Sequence, residues 1–292
     1  MQHRPVTFNI PSAARLTLLF LCYFLGLLIT AVLSSVLLGA MPPEKHAAAL
    51  RIGAVIQDVF ALAIPAVATA VLATRNPAGL LAVDRRPGAV RTVIALITIL
   101  AAAPAMSRII EWNASITFPE SLASLETTLR GMESNAASAI SAMTATHTVG
   151  NLIVNILIIG VMAGFCEELF FRGALQRLLS ATALGGRGAV WLSAFIFSLV
   201  HFQFFGFVPR LLIGAYMGYL LLWSGSLWLP VCVHIFNNTM FVLLEYLTGS
   251  GDPQVGTDST MWIIAAASAV LSAVGLVILH ACRRGKMPSN RP

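Results

Sequence analysis

The chain has little charge. Only 10% of its 292 residues are Asp, Glu, Lys or Arg, against roughly a quarter in a soluble globular domain. With 58% apolar residues and a mean hydropathy of +0.84, it cannot cover a fold of this size with polar surface, which excludes an ordinary water-soluble enzyme. Cysteine is scarce. Cys22, Cys166, Cys232 and Cys282 are far apart and form no C-x-x-C pair, so neither a disulfide framework nor a thiolate zinc site is expected. The sequence also has no Gly-rich phosphate loop, no H-E-x-x-H and no internal repeat. The net charge of +6 does not imply a nucleic-acid partner, because the basic residues sit at the ends of apolar runs and form no aromatic-interleaved patch.

Long apolar runs are present. About 20 apolar residues span a bilayer as a helix, and eight runs approach that length: Leu16–Met41, Ile52–Ala73, Thr92–Met106, Leu152–Leu179, Gly188–Phe207, the short Leu211–Trp223, Leu227–Tyr246 and Met261–His280. The expected fold class is all-α, a polytopic membrane protein of about eight transmembrane helices with an intramembrane polar site. An even number of spans puts both termini on one side. With that side cytoplasmic, 13 Lys and Arg fall inside (Arg4, Arg15, Arg75, Arg85, Arg86, Arg91, Arg172, Arg177, Arg187, Arg283, Arg284, Lys286 and Arg291) and 5 outside (Lys45, Arg51, Arg108, Arg130 and Arg210), as the positive-inside rule requires. The expected location is therefore the cell membrane, multi-pass, with cytoplasmic termini. Residues 107–150 form the longest polar stretch. Its Ala/Ser-rich part, 135–148, is helix-permissive and reads either as an amphipathic helix on the outer surface or as a loop.

Ionisable groups inside spans are costly and mark functional interiors. They cluster in Glu167-Glu168-Leu169-Phe170-Phe171-Arg172, Phe197-Ser198-Leu199-Val200-His201 and His234-Ile235-Phe236-Asn237-Asn238. Phe197 and His201, and likewise His234 and Asn238, share helix faces at i,i+4. Glu168 and Arg172 have the spacing of an ion pair, and Glu167 lies about 100° around the helix, free to face the bundle centre. At ~1.5 Å per residue, Glu167, His201 and Asn238 lie about 16–20 Å from the cytoplasmic ends of their spans and His234 about 10 Å. An ionised Glu167 can take a proton from water, His201 can assist, and His234 with Asn238 can donate to an oxyanion. The same Glu167, His201 and His234 can instead be read as two histidines and a carboxylate on zinc. Simpler readings attach to the remainder. Phe197 packs under His201, Gln203 and Asn237 bond locally, Asp58 is interfacial or paired near one end of its span, and Glu245 is solvated at an outer edge. Gly214-x-x-x-Gly218 is a close helix contact inside the bundle.

Glu-Glu-x-x-x-Arg, Phe-x-x-x-His and His-x-x-x-Asn on three successive membrane helices resemble the CAAX prenyl endopeptidase and bacteriocin-processing (CPBP, or Abi) family, as does Gly225-Ser226-Leu227-Trp228-Leu229-Pro230. The resemblance covers about residues 151–247. It implies an eight-helix intramembrane endopeptidase in which Glu167 activates water, His201 assists, His234 and Asn238 form the oxyanion site, and Glu168 with Arg172 supports them. It favours no ligated metal, with zinc as the alternative. The expected organisation is 1–150 as three helices plus an extracytoplasmic segment, 151–247 as the catalytic core, and 248–292 as the last helix with a basic tail. The expected partners are the bilayer and a membrane-associated or lipid-modified protein or peptide. Two rival functions are a non-proteolytic scaffold or immunity protein of the same fold and a proton-coupled transporter. The absence of an internal repeat weighs against the transporter.

Overall fold

The computed structural model describes residues 11–248 and 259–282. Arg4, Arg283, Arg284, Lys286 and Arg291, counted in the charge bias above, lie outside them. The described residues are helical, with no strand among them. Eight main helices follow in order: α1 (Ser12–Ala40), α2 (His46–Ala73), α4 (Ala89–Ala114), α6 (Val149–Ser180), α7 (Gly185–Leu199), α8 (Phe207–Ser224), α9 (Trp228–Thr248) and α10 (Ser259–Ala281). Two more do not span: α3 (Pro77–Leu81) and α5 (Ala123–Thr144).

Seven of these helices are long and apolar enough to cross a membrane. The short one is α7 and not, as the sequence implied, α8. Helix α7 has 15 residues, about 22 Å at 1.5 Å per residue. It ends at Leu199 because Phe202 adopts a left-handed conformation, φ +53°, that a helix cannot continue through. The expected fifth span through Phe207 is corrected accordingly, and His201 sits in the turn beyond the helix. Helix α4 runs eight residues past Met106, to Ala114, so the 107–150 stretch begins as helix. Its Ala/Ser-rich part belongs mostly to α5.

Helix α6 is the centre of the bundle. It packs against α2, α7, α8 and α9, and every residue from Leu169 to Gln176 is buried. Helix α1 covers α2 on one side and α10 covers α4 on another. Small residues allow these approaches, because without a hydrophobic drive between helices in lipid, contact depends on close packing. A Cβ on Gly26 of α1 would fall 1.9 Å from the Phe60 carbonyl of α2. Gly214 and Gly218 of α8 lie against Phe197 and Val190 of α7 and Arg172 and Gln176 of α6, inside the bundle.

Pro104 lacks the N–H needed within α4, and the helix is repaired from outside. Ser268 of α10 accepts the Ala105 N–H at 3.1 Å and donates to the Ala101 carbonyl. Ser268 is buried, so Ser268→Ala removes a hydrogen-bond partner from both backbone groups at the proline site, at about 1–3 kcal/mol. A lower thermal midpoint for detergent-solubilised Ser268→Ala is the expected result, with Ser272→Ala, which bonds only within its own helix, as the control.

The start of α5 is docked electrostatically. Glu126 accepts the Phe118 N–H at 2.7 Å and Arg130 Nε at 2.8 Å, and the backbone N–H first, then Arg130, hold its carboxyl below the usual carboxylate range. A lowered folded value means that this docking contributes above the unfolded value and is lost as pH falls through the folded one. The protection factor of the Phe118 amide, which is the exchange rate relative to the intrinsic rate at the same pH, should therefore persist through the ordinary carboxylate range and fall only below it.

Candidate functional site

The chemistry-bearing residues lie on α6, α7 and its following turn, and α9. Glu167 and Glu168 occupy one α-helical turn of α6 between two π-helical stretches, Ile156–Met162 and Leu169–Gln176. Such bulges widen the helix locally and recur at functional sites.

Glu168 is the hub. Its side chain is fully buried, and Oε1 accepts from Arg172 Nη1 at 2.7 Å and from His234 Nδ1 at 2.8 Å. Arg172, equally buried, donates its other terminal nitrogen to the Gly214 carbonyl at 2.9 Å, and its guanidinium lies 4.5 Å from the Phe197 ring centroid. One turn on, Gln176 donates to the Gly218 carbonyl at 3.0 Å. The two glycines that admit α8 thus also present their carbonyls to α6. Arg172, counted above among the cytoplasmic-edge cations, belongs instead to the bundle interior.

The second carboxylate points elsewhere. Glu167 keeps 17% of its side chain exposed, and its Oε2 stands 3.5 Å from His234 Nε2. Nδ1 of His234 faces an acceptor that already binds Arg172, so Nδ1 carries the hydrogen and Nε2 is the nitrogen that meets Glu167. His201 is oriented the same way. Its Nδ1 lies 2.7 Å from the Phe197 carbonyl, which can only accept, so Nε2 is left free. The Phe197 ring sits edge-on to both imidazoles, 4.9 Å from His201 and 6.0 Å from His234. Glu167 lies within electrostatic reach of His201. Asn238 donates one amide hydrogen to the Ile159 carbonyl at 3.1 Å, in the first π-helical stretch, and keeps the other. Glu167, His201 and His234 are therefore brought together, with Glu168, Arg172 and Phe197 behind them, and Asn238 lies one turn along α9 from His234.

Each imidazole has its Nδ1 bonded to a protein oxygen, which leaves Nε2 as the outward nitrogen, the arrangement that metal-ligating histidines also use; among the described residues no three His, Cys, Asp or Glu side chains are grouped as a metal-ligand set.

Sequence reading misplaced two acids. Helix α2 begins at His46, six residues before the run that revealed it, so Asp58 is twelve residues in and 6% exposed, neither interfacial nor at a span's end. It opens a π-helical stretch packed on the turn that holds Glu167, within electrostatic reach of Glu167 and Cys166. Glu245 is buried, not solvated, because the end of α5 covers it, and Thr144 donates to it at 3.4 Å. Gln203 and Asn237 bond locally, to Arg210 and Asn238. Gln176, Gly160 and Gly164 went unread. Gly160 and Gly164 repeat the small-xxx-small spacing of Gly214 and Gly218, and that spacing was the available signal.

This three-helix site lies within a segment of known kind. Residues 149–240 match the Rce1-like family. The family is described as type II CAAX prenyl endopeptidase Rce1-like, and the likeness covers about a third of the chain. The chain is also 28% identical over 93 residues to the uncharacterized protein YpbD of Bacillus subtilis (strain 168), covering 30% of this chain and 44% of that protein. The match thus spans less than half of that relative's length. No solved structure matches the chain.

Within the Rce1-like segment, the Glu167–His234 approach depends on α6 touching α9. A Cβ on Gly164 would meet the Ile235 backbone nitrogen at 3.1 Å. Gly164→Leu should therefore separate the two helices next to His234 and cost about 1–3 kcal/mol, seen as a lower thermal midpoint; a midpoint equal to the parent's would show that this contact does not set the spacing.

Proposed function

We propose that the protein is an intramembrane endopeptidase that cuts a membrane-associated or lipid-modified protein or peptide with water activated by Glu167. The observation that carries this reading is the division of labour between adjacent carboxylates. Glu168 is sealed and saturated at Oε1, whereas Glu167 is open and next to two imidazoles.

Glu167 takes a proton from water as the water oxygen bonds to the scissile carbonyl carbon. His201 Nε2 orients that water. The electron pair displaced onto the carbonyl oxygen is met by the second amide hydrogen of Asn238 and by His234 Nε2. Donation from Nε2 requires the ring to hold both hydrogens, and Glu168, bonded to Nδ1, is the counterion for that state. The tetrahedral species collapses, the C–N bond breaks, and Glu167 returns its proton to the leaving amine. No acyl-enzyme and no metal enters these steps. Zinc is the alternative, and Glu167, His201 and His234 are the residues that would hold it.

The orientation follows the charge pattern. Arg75, Arg85, Arg86, Arg91 and Arg187 flank helix ends that the alternating path of the chain puts on the face where α1 begins and α10 ends. We assign that face to the cytoplasm and the α5 face to the outside.

The test is cleavage of a membrane-anchored reporter peptide by the purified full chain. Glu167→Gln should lower kcat about 10²–10⁴-fold, and cleavage should survive a chelator. Undiminished cleavage by Glu167→Gln contradicts the mechanism, and loss on chelation restored by zinc moves Glu167, His201 and His234 to metal ligation.

A further inference from the structure

The turn that carries His201 is held from outside the Rce1-like segment. It joins α7 to α8 and contains the left-handed Phe202, a conformation that a bulky residue keeps only when its surroundings over-determine it. Two elements supply that constraint. From α4, Asn113, 3% exposed, donates to the Phe204 carbonyl at 3.2 Å and accepts the Val208 N–H at 2.7 Å. From α5, Glu133 accepts the Phe205 N–H at 3.1 Å. Arg130, also on α5, lies 3.8 Å from the Phe205 ring centroid, and the Phe118 ring lies tilted against the same ring at 6.1 Å. Arg210 of α8 closes the turn from beneath by bonding Gln203, within electrostatic reach of Glu133. These contacts reach Gln203, two residues from His201, and His201 Nδ1 bonds back to the Phe197 carbonyl of α7. The imidazole is thus anchored on one side by α7 and on the other by a turn that α5 clamps.

We propose that Glu133 is a positioning residue for His201, and that the α5 segment clamps one edge of the site. This rests on the reading of His201 as the residue that orients the reacting water. It assigns a role to the 107–150 stretch, which lies almost wholly outside the family match. It also makes the site sensitive to whatever displaces α5 from the membrane surface. Glu133 touches no reacting atom and acts through the Phe205 amide.

The experiment compares the full-length parent, Glu133→Ala and Glu133→Gln, the last of which keeps a carbonyl oxygen for the Phe205 N–H. The first readout needs no substrate. It is the rate at which diethyl pyrocarbonate modifies His201, resolved by mass spectrometry, with the exposed His46 as internal reference. Release of the turn should change the His201 rate about tenfold in Glu133→Ala, leave His46 unchanged, and be reversed in Glu133→Gln. Equal His201 rates in all three proteins would overturn the proposal, whatever the reporter shows. The second readout is reporter cleavage, where Glu133→Ala should lower kcat about tenfold with KM within about twofold, and Glu133→Gln should restore it. A changed His201 rate with parental kcat would show that Glu133 places the ring but that the ring does not serve the reaction. If the parent cleaves no reporter, the protease reading fails while the His201 rates still decide the positioning claim.

Discussion

The structure turns on one buried ion pair. Arg172 and Glu168 sit at the centre of the bundle with no exposed surface, where an isolated charge would cost several kcal/mol. Each is kept there by the other and by groups from other helices, the Gly214 carbonyl for Arg172 and the His234 imidazole for Glu168. Three helices are therefore registered by two side chains. Helix α8 must present a bare backbone at Gly214, α9 must offer a nitrogen at His234, and the turn of α6 must keep both acids in α-helical spacing between two π-helical stretches. Glu168 is turned into the bundle with Oε1 held by Arg172 and His234, while Glu167, about 100° around the helix, keeps part of its side chain open.

Much of this was legible because the bilayer makes polar residues conspicuous. In runs of Leu, Ile, Val and Ala, the pairs Glu168/Arg172, Phe197/His201 and His234/Asn238 stand out, and helical spacing alone puts each pair on one face. The number of long helices was likewise close to what the apolar runs implied. The misplaced helix ends share one cause, which is that hydropathy finds the apolar middle of a helix and not its ends. Helix α2 starts at His46, so Asp58 moved from an edge to the interior. Helix α7 stops at Leu199, since the left-handed conformation of Phe202 leaves no trace in hydropathy. Glu245 resembled an edge residue because nothing in its own span indicates that α5 folds over it. The contacts of Asn113 and Glu133 with the 200–208 turn join residues about 70–95 positions apart, and no local pattern encodes such pairs.

Function divides along the same line. The Rce1-like segment carries the groups proposed to touch a reacting peptide, while the N-terminal half supplies their surroundings: Asp58 packed near Glu167, Gly26 bringing α1 onto α2, and Asn113 with α5 over the His201 turn. A segment that carries the catalytic pattern is thus completed by helices that lack it, since buried polar groups need partners from every side and one hundred residues of α-helix cannot surround themselves.

The central claim is that the Arg172–Glu168 pair acts as a unit holding the site. A double-mutant cycle on equilibrium stability in detergent, with Glu168→Gln, Arg172→Met and the double variant, measures it directly. The account predicts that each single change is severely destabilising, because each strands a buried partner, and that the double variant is no worse than the poorer single, a coupling of about 2–3 kcal/mol. Effects that add to within about 0.5 kcal/mol would contradict it, for the two residues would then be holding separate parts of the bundle.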